Sequence, residues 1–202
     1  MPTRLSETAR ERLRELYGAA HSIRLAPVSV NLSGIAKGFG VDQAARALER
    51  LDIGDYMIEL GGEIRTHGRN AQGRAWQLAI EVPDAMPQRA LRVLPLDGKA
   101  LATSGDYRNF FVIDGQRFSH SIDPRRGYPV VHDLVSVTVI HPSAMIADAW
   151  ATALVVLGYD DAMAVAQEQG LAVYFIRRLG DAFVDSHTPA FEPYLESAGS
   201  EH

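Results

Sequence analysis

The stretch AMIADAWATALVVL, residues 144–157, is apolar or helix-forming almost throughout, which predicts a buried α-helix. Ser143 before it and Gly158 after it are start and stop signals. Asp148 and Thr152 are four residues apart, so both side chains lie on one face of this helix. A buried carboxylate is costly unless a cation or a hydrogen-bond donor meets it. Either the two oxygens bind a hard cation such as Mg²⁺, or Asp148 caps a neighbouring loop while Thr152 bonds back to its own helix.

Alternating and β-branched stretches predict the strands. WQLAIEV (residues 76–82) alternates apolar side chains as a half-buried strand does, and DLVSVTVIHP (133–142) contains the β-branched run of a buried strand. RNFFVI and QRFSHSI flank an Asp-Gly pair at 114–115, which predicts a β-hairpin. YMIEL runs into two glycines and continues as EIRTHG (56–68), which indicates a bulge or a close backbone approach at the glycines.

The N-terminal quarter of the chain predicts helix, strand, loop and helix in succession. Residues 3–17 carry apolar side chains at helical spacing and end before a glycine. Val28 and Val30 belong to a predicted strand, and residues 34–40 form a predicted loop that contains three glycines. We expect the next helix to begin at Val41.

The remaining pattern favours one domain over residues 1–202. Residues 83–95 are the least regular region, and we expect a loop with a short edge strand there. This is the only plausible linker, and it is too short to separate independent domains. Two closing strands, LAVYFIRR and DAFVDS, follow a second helix, and residues 195–202 read as a polar tail.

Composition narrows the class of function. The net charge of −5 gives no indication of a nucleic-acid or membrane-surface binder. The chain has no cysteine, which excludes disulfides, thiolate metal sites and a cysteine nucleophile. No apolar run reaches the roughly 18 residues that a membrane span needs, and we expect neither a transmembrane segment nor an export signal in this sequence.

The glycine-containing segment also holds one of only two lysines, against eighteen arginines. Three glycines around Lys37 would let backbone groups approach a ligand closely, with a helix N-terminus behind them, an arrangement that suits phosphate. The spacing is not that of a P-loop. A plain tight turn between a strand and a helix is at least as good an interpretation of these residues alone.

Residues 101–129 contain the densest set of reactive side chains, brought side by side by the predicted hairpin. These are Thr103, Ser104, Asp106, Tyr107, Arg108, His120, Asp123, Arg125 and Arg126. A lone histidine is more often structural than catalytic. The hydroxyls, carboxylates and arginines around His120 favour a proton-transfer role.

Four separated motifs occur together in one order and spacing: NLSGIAKGFGVD, ELGGEIRTHG, ATSGDYRNFF with SHSIDPRRG, and VSVTVI followed by ADAWATALVVLG. Over residues 24 to 186 the chain resembles the ApbE family of FAD:protein FMN transferases. The resemblance implies an α+β fold with mixed or antiparallel β-sheets packed with helices. It also implies an enzyme that uses Mg²⁺ and FAD to join FMN, as a phosphoester, to a Thr or Ser of an acceptor flavoprotein and that releases AMP.

The resemblance assigns roles to particular positions. The metal is expected at Asp148, Thr152 and the backbone carbonyl of Gly34. FAD is expected against Asn31, Lys37 and Ile122, and His120 is expected beside the reacting phosphate as the base. Where the family motif has aspartate, this chain has Asn31, which keeps hydrogen bonding but lacks a charge.

Family members carry further residues before this region, with an export signal and a lipid-anchored cysteine, and they act in the periplasm at the inner membrane. The chain looks like the C-terminal two thirds of such an enzyme. The alternative to an active transferase is therefore a non-catalytic remnant that binds FAD or a partner polypeptide. A purely structural protein would leave the polar cluster at His120 unexplained.

Overall fold

The computed structural model describes residues 32–83, 87, 89–105, 110–113, 116–119, 122–123 and 128–197. The chain divides into two compact units, residues 1–32 and 33–202, and the fold below is that of the second. The helix expected over residues 3–17 and the strand at Val28 and Val30 lie outside the described residues.

The described part contains four α-helices and twelve strands. The helices are α1 Ser33–Glu49, α2 Ala144–Leu157, α3 Tyr159–Glu168 and α4 Glu192–Ser197, with a 3₁₀ turn at Pro189–Phe191. The first six strands are β1 Tyr56–Leu60, β2 Glu63–His67, β3 Trp76–Glu81, β4 Ala90–Leu96, β5 Ala100–Gly105 and β6 Phe110–Ile113. The others are β7 Gln116–Ser119, β8 Ile122–Asp123, β9 Tyr128–Pro129, β10 Leu134–His141, β11 Ala172–Leu179 and β12 Ala182–His187.

Six strands form the central sheet in the order β1-β2-β5-β10-β11-β12, and every neighbouring pair in it is antiparallel. Three two-stranded sheets, β3-β4, β6-β7 and β8-β9, are also antiparallel. The α+β class with antiparallel sheets packed with helices is confirmed. The Asp-Gly hairpin is confirmed as well, because β6 pairs with β7.

Strand β10 is buried along almost its whole length because both faces of the central sheet are covered. Val137 and Val139 pack with Ala147, Ala151 and Leu154 of α2 on one face. The opposite face packs against the β3-β4 pair in a second cluster, which contains Leu78, Ile80, Leu94, Leu96, Val135, Ile140, Tyr174 and Ile176. Residues 33–202 therefore form three layers, with α2 and α3 on one side of the central sheet and the β3-β4 hairpin with the short final helix α4 on the other.

Helix α2 has the ends that the sequence predicts. Ser143 is its N-cap, and the Ser143 side chain accepts a hydrogen bond from the backbone N–H of Ile146. Gly158 ends the helix with a φ of 82°, which costs little only for glycine. The helix expected over residues 144–157 is confirmed, and it is buried along one face rather than all round.

The expected loop at residues 34–40 is wrong, because α1 begins at Ser33 rather than at Val41 and includes all three glycines. A Cβ atom at Gly38 would lie 2.3 Å from the backbone oxygen of Ala144. Glycine therefore allows the backbones of α1 and α2 to approach closely. The loss of helix propensity, roughly 1 kcal/mol per glycine relative to alanine, is offset by this packing.

The region at residues 83–95 is more regular than expected. Strand β4 has seven residues and pairs with β3, with Pro95 opposite Gln77. Leu94 and Leu96 are buried in the second cluster, and this burial outweighs the weak local preference of a proline-containing segment for a strand. The final helix α4 runs into the stretch that reads as a polar tail, and Leu195 packs against the same cluster.

Gly61 and Gly62 form the two-residue turn between β1 and β2, since Leu60 pairs directly with Glu63. Both glycines have positive φ, 61° and 98°, as a tight hairpin requires. The bulge considered from the sequence is therefore absent at this turn, whereas the close approach is present. A Cβ atom at Gly61 would lie 3.1 Å from Cδ of Lys37.

Candidate functional site

Helices α1 and α2 cross where their smallest residues meet, and this crossing places Asp148. The backbone N–H of Gly38 donates a hydrogen bond to Oδ2 of Asp148 at 3.0 Å. Asp148 is only 1% exposed. The carboxylate expected to be buried is thus buried, and a backbone donor from the other helix offsets part of its desolvation.

Thr152 lies one turn further along α2, against Gly34 of α1. A Cβ atom at Gly34 would lie 2.9 Å from both Cγ2 and Oγ1 of Thr152. Oγ1 of Thr152 is also 3.2 Å from Oγ of Ser104 at the end of β5, and either hydroxyl can be the donor. The structure therefore brings Gly34, Asp148 and Thr152 together, and it adds Ser104 to them.

Lys37 extends from α1 to the turn between β1 and β2. Its ammonium donates hydrogen bonds to Oε1 of Glu63 at 2.7 Å and to the carbonyl oxygen of Gly61 at 3.3 Å. Oε2 of Glu63 lies 2.6 Å from the same nitrogen but accepts no hydrogen bond in the described part of the chain. Lys37 is 43% exposed along its side chain, whereas that of Glu63 is 1% exposed.

Burial raises the pKa of Glu63, although the hydrogen bond and the charge of Lys37 act to lower it. The negative charge of Asp148 raises it further, so the net shift is upward. Glu63 and Asp148 therefore belong to one electrostatic environment, in which Lys37 is the cation that pairs with Glu63.

Asp42, two turns further along α1 from Gly34, fixes the N-terminus of α2. Its carboxylate accepts hydrogen bonds from Oγ of Ser143 at 2.6 Å and from the backbone N–H groups of Ala144 and Met145 at 3.0 and 3.1 Å. Arg65 donates to it from β2 at 2.7 Å. Burial acts to raise the pKa of Asp42, but these four hydrogen bonds together lower it.

Whether a divalent cation could bind at the crossing of α1 and α2 depends on the oxygen atoms present there. No cluster of three or more His, Cys, Asp or Glu side chains in the described ranges could hold a metal ion. The carboxylate of Asp148, the hydroxyl of Thr152 and the carbonyl of Gly34 are hard oxygen donors of the kind that Mg²⁺ takes. In a regular α-helix the N–H of Gly38 points toward the carbonyl of Gly34, and here that N–H also donates to Asp148. This set of donors fits a cation that completes its shell with water or with phosphate oxygens.

Several predicted site residues are not tested by the structure. His120 and Asn31 lie outside the described residues, as do Asp106, Tyr107, Arg108, Arg125 and Arg126. Ile122 is placed in β8, opposite Pro129, but only its backbone is described. Thr103 is hydrogen-bonded to Thr138 at 2.9 Å, so its hydroxyl joins β5 to β10.

Two residues of this region, Glu63 and Asp42, are not identified by the sequence pattern. Glu63 follows the glycine pair of ELGGE, and a carboxylate that enters a strand after a tight turn is a weak indication. Asp42 contacts residues about a hundred positions away, so no local pattern could identify its partners. The helical spacing of the small or buried residues 34, 38, 41, 42 and 45 is the signal that could have placed Asp42 on the buried face of α1, although not its partners.

None of the helices in the described ranges is both long enough and apolar enough to span a membrane.

The fold and the site define a three-layer α+β protein in which two closely crossed helices present an oxygen-rich face beside a lysine–glutamate pair. The family model for the ApbE family matches residues 4–175, and the chain belongs to that family.

Curated relatives give the same assignment. The FAD:protein FMN transferase of Haemophilus influenzae is 48% identical over 180 residues, which cover 89% of this chain and 52% of the relative. That of Escherichia coli K12 is 42% identical over 168 residues, which cover 83% of this chain and 48% of the relative. The chain thus spans about half the length of the curated relatives it matches.

Solved structures agree in fold. The apo flavinyl transferase ApbE of Pseudomonas stutzeri superimposes with a TM-score of 0.77 at 37% identity, covering 96% of this chain and 62% of that one. The flavin transferase ApbE of Vibrio cholerae gives a TM-score of 0.76 at 38% identity, covering 96% and 64%.

Proposed function

We propose that this chain carries out FMN transfer from FAD to a Thr or Ser hydroxyl of an acceptor protein, with Mg²⁺ as cofactor. The hydroxyl oxygen forms a bond to the phosphorus of the FMN half. The pyrophosphate bond breaks, AMP leaves, and the hydroxyl proton passes to a base. The observation that carries the proposal is the placement of Asp148 against Gly38 and of Thr152 against Gly34, together with membership of the ApbE family.

Asp148, Thr152 and the carbonyl of Gly34 would hold the metal. When bound, Mg²⁺ would supply charge neutralisation for the pyrophosphate. The protein contributes a fixed donor set, because Asp148 is anchored by the N–H of Gly38 and Thr152 lies against Ser104. A carboxylate that is already oriented does not need to be ordered when substrate arrives.

Lys37 would contact a phosphate of FAD, because its partly exposed ammonium lies at the turn next to the same helix face. His120 would take the proton of the incoming hydroxyl, and Asn31 and Ile122 would bind FAD. These three assignments rest on the motifs in the sequence. A base near neutral pKa is suited to accept a hydroxyl proton during phosphoryl transfer.

The test is a transfer assay with purified protein, FAD, Mg²⁺ and a protein that the Haemophilus influenzae relative flavinylates. That relative is the positive control. We expect a covalent flavin on the acceptor, seen as in-gel fluorescence and as a mass increase of one FMN less water. One AMP should be released per acceptor modified.

Omission of Mg²⁺, or replacement of the acceptor Thr or Ser by Ala, should remove the product. If FAD binds but neither transfer nor AMP release occurs while the positive control works, the chain is the binding remnant. If FAD does not bind at all, the transferase and an FAD-binding remnant are both excluded, and a remnant that binds a partner polypeptide is the interpretation left.

A further inference from the structure

Among the described acidic residues near the proposed site, Glu63 at the start of β2 is the most completely buried, with 0% exposure. An ionised carboxylate in such a position is costly unless a cation or donors meet it. Within the described residues, the cation that meets it is Lys37, which lies within 2.7 Å of both carboxylate oxygens. Because burial of the Glu63 carboxylate is unfavourable for stability, this residue is a candidate for a functional role.

The geometry around the Lys37 ammonium constrains its direction. An ammonium has three N–H donors. One is directed to Oε1 of Glu63 and one to the carbonyl of Gly61, and both acceptors belong to the tight β1-β2 turn. Within the described part of the chain no further acceptor takes the third donor, and the 43% exposure of the side chain makes this donor available to a ligand.

The turn also limits the motion of the lysine stem. Cδ of Lys37 lies so close to Gly61 that a Cβ atom there would be 3.1 Å away, and Gly61 has a φ of 61°. On α1, Lys37 lies between Gly34 and Gly38, the two residues that contact Thr152 and Asp148. Lys37 therefore belongs to the same turn of α1 as the two glycines that contact the proposed metal ligands.

We propose that Glu63 is a positioning residue that holds the Lys37 ammonium, across the Gly61–Gly62 turn, in the direction needed to bind a phosphate of FAD. This inference rests on the proposed function, and it assigns to Glu63 an indirect part in FAD binding that is exerted through Lys37. Glu63 itself touches neither FAD nor the metal in this role. Its negative charge repels phosphate, so its contribution comes from orientation rather than from attraction.

The test is a double-mutant cycle on FAD affinity, measured by fluorescence titration with the unaltered chain, Glu63→Gln, Lys37→Met and the double variant. Glu63→Gln removes the repulsion between the Glu63 carboxylate and phosphate both in the unaltered chain and in the Lys37→Met variant. The difference between the two effects of Glu63→Gln therefore does not contain this repulsion. We expect Glu63→Gln to weaken FAD binding roughly three- to tenfold more in the unaltered chain than in the Lys37→Met variant. Glu63→Asp keeps the charge but shortens the reach, and we expect it to lose affinity as well.

Two controls accompany the cycle. Lys99→Met also removes one positive charge, but at the second lysine of the chain, whose ammonium contacts the hydroxyl of Tyr194. This variant should bind FAD with nearly the affinity of the unaltered chain. Thermal unfolding of every variant reports its folding. If Lys37→Met fails to fold because Glu63 is left without its cation, Lys37→Gln replaces it, since its amide can still donate to Glu63.

An equal effect of Glu63→Gln with and without Lys37→Met, or an unchanged affinity in Glu63→Asp, would overturn the positioning role and leave the proposed function intact. Equal FAD affinity of Lys37→Met and the unaltered chain would show that Lys37 does not contact a phosphate of FAD. The positioning role of Glu63 would then be wrong as well. Absence of FAD binding by the unaltered chain would contradict the proposed function itself.

Discussion

Gly38 and Asp148 are 110 residues apart in the chain, and one hydrogen bond of 3.0 Å joins the backbone N–H of the first to the carboxylate of the second. The bond exists because Gly38 has no side chain to separate α1 from α2. The contact that packs the two helices is therefore the same contact that orients the proposed metal ligand. Changes at this crossing should affect stability and metal binding in separable ways.

Asp148→Asn should fold and lose the response to Mg²⁺. The amide oxygen can still accept the Gly38 N–H, whereas the charge that attracts the cation is gone. Asp148→Ala removes this buried hydrogen bond to a charged group and should lower the free energy of unfolding by about 1–3 kcal/mol. Thermal unfolding with and without Mg²⁺ measures both effects, because a cation that binds only the folded chain raises its melting temperature.

Thr152→Val is the milder comparison at the same site, since it removes one neutral oxygen and keeps the shape of the side chain. It should weaken the Mg²⁺ response less than Asp148→Asn does. Unfolding of the Asp148→Asn protein, with unchanged metal titration in the fraction that folds, would make Asp148 a purely structural residue.

Gly38→Ala and Gly40→Ala form a matched pair on α1 and should have opposite effects on stability. At Gly38 the new methyl group would lie 2.3 Å from the backbone oxygen of Ala144, which cannot move without shifting α2. At Gly40 its nearest neighbour is the flexible end of the Leu60 side chain at 3.0 Å. Gly40→Ala should be neutral or stabilising by up to about 1 kcal/mol from helix propensity.

Gly38→Ala should destabilise by about 1–3 kcal/mol or more, since overpacking forces backbone shifts. Chemical denaturation of the two variants beside the parent measures this difference. Equal stability of the two variants would mean that the close crossing of α1 and α2 is absent in solution.

The hydrogen bonds of Asp42 to the N-terminus of α2 should make the stability of the protein depend on pH in the acidic range. The folded pKa of Asp42 is lowered below its ordinary value of 3.8. The stabilisation is therefore fully present above that value and is lost as the pH falls through the folded pKa. Asp42→Asn should be less stable than the parent at neutral pH by roughly 1–3 kcal/mol, the cost of weakened bonds to buried donors.

The difference between these two proteins should shrink as the pH falls below about 4. Glu63 shifts in the opposite direction but is present in both, so it cancels from the comparison. Denaturation curves of both proteins from neutral to acid pH give the measurement. A constant difference across that range would show that the Asp42 charge contributes nothing to the cap.

His120 lies outside the described residues, and the prediction for it rests on the sequence. His120→Asn should leave FAD and Mg²⁺ binding nearly unchanged. It should lower FMN transfer at least tenfold to a hundredfold, since a positioned base contributes about 10²- to 10⁴-fold to such reactions. Single-turnover transfer across pH 6 to 9 separates this effect on rate from any effect on binding.

The assay needs a protein whose unaltered form is active. An unchanged rate at every pH would exclude His120 as the base and would make Asp106 or Asp123 the next residue to test.

Local sequence patterns were sufficient to predict those elements whose stabilising interactions come from residues close together in the chain. Helix α2 was predictable because its apolar run, its Ser143 cap and its Gly158 end are contiguous in the sequence. The β6-β7 hairpin was predictable because an Asp-Gly pair suits a tight turn between strands. The pairing of Asp148 with Thr152 followed from helical spacing alone.

What the sequence by itself determined was the family, the α+β class and the helix that carries Asp148 and Thr152, because these depend on residue order and periodicity. Only the tertiary structure decided that Gly34 and Gly38 are helical, since glycine disfavours a helix and the compensating contact comes from α2. It alone paired Asp42 with the start of α2 and Lys37 with Glu63. Their energies come from burial and from partners distant in the chain, which local propensity does not contain.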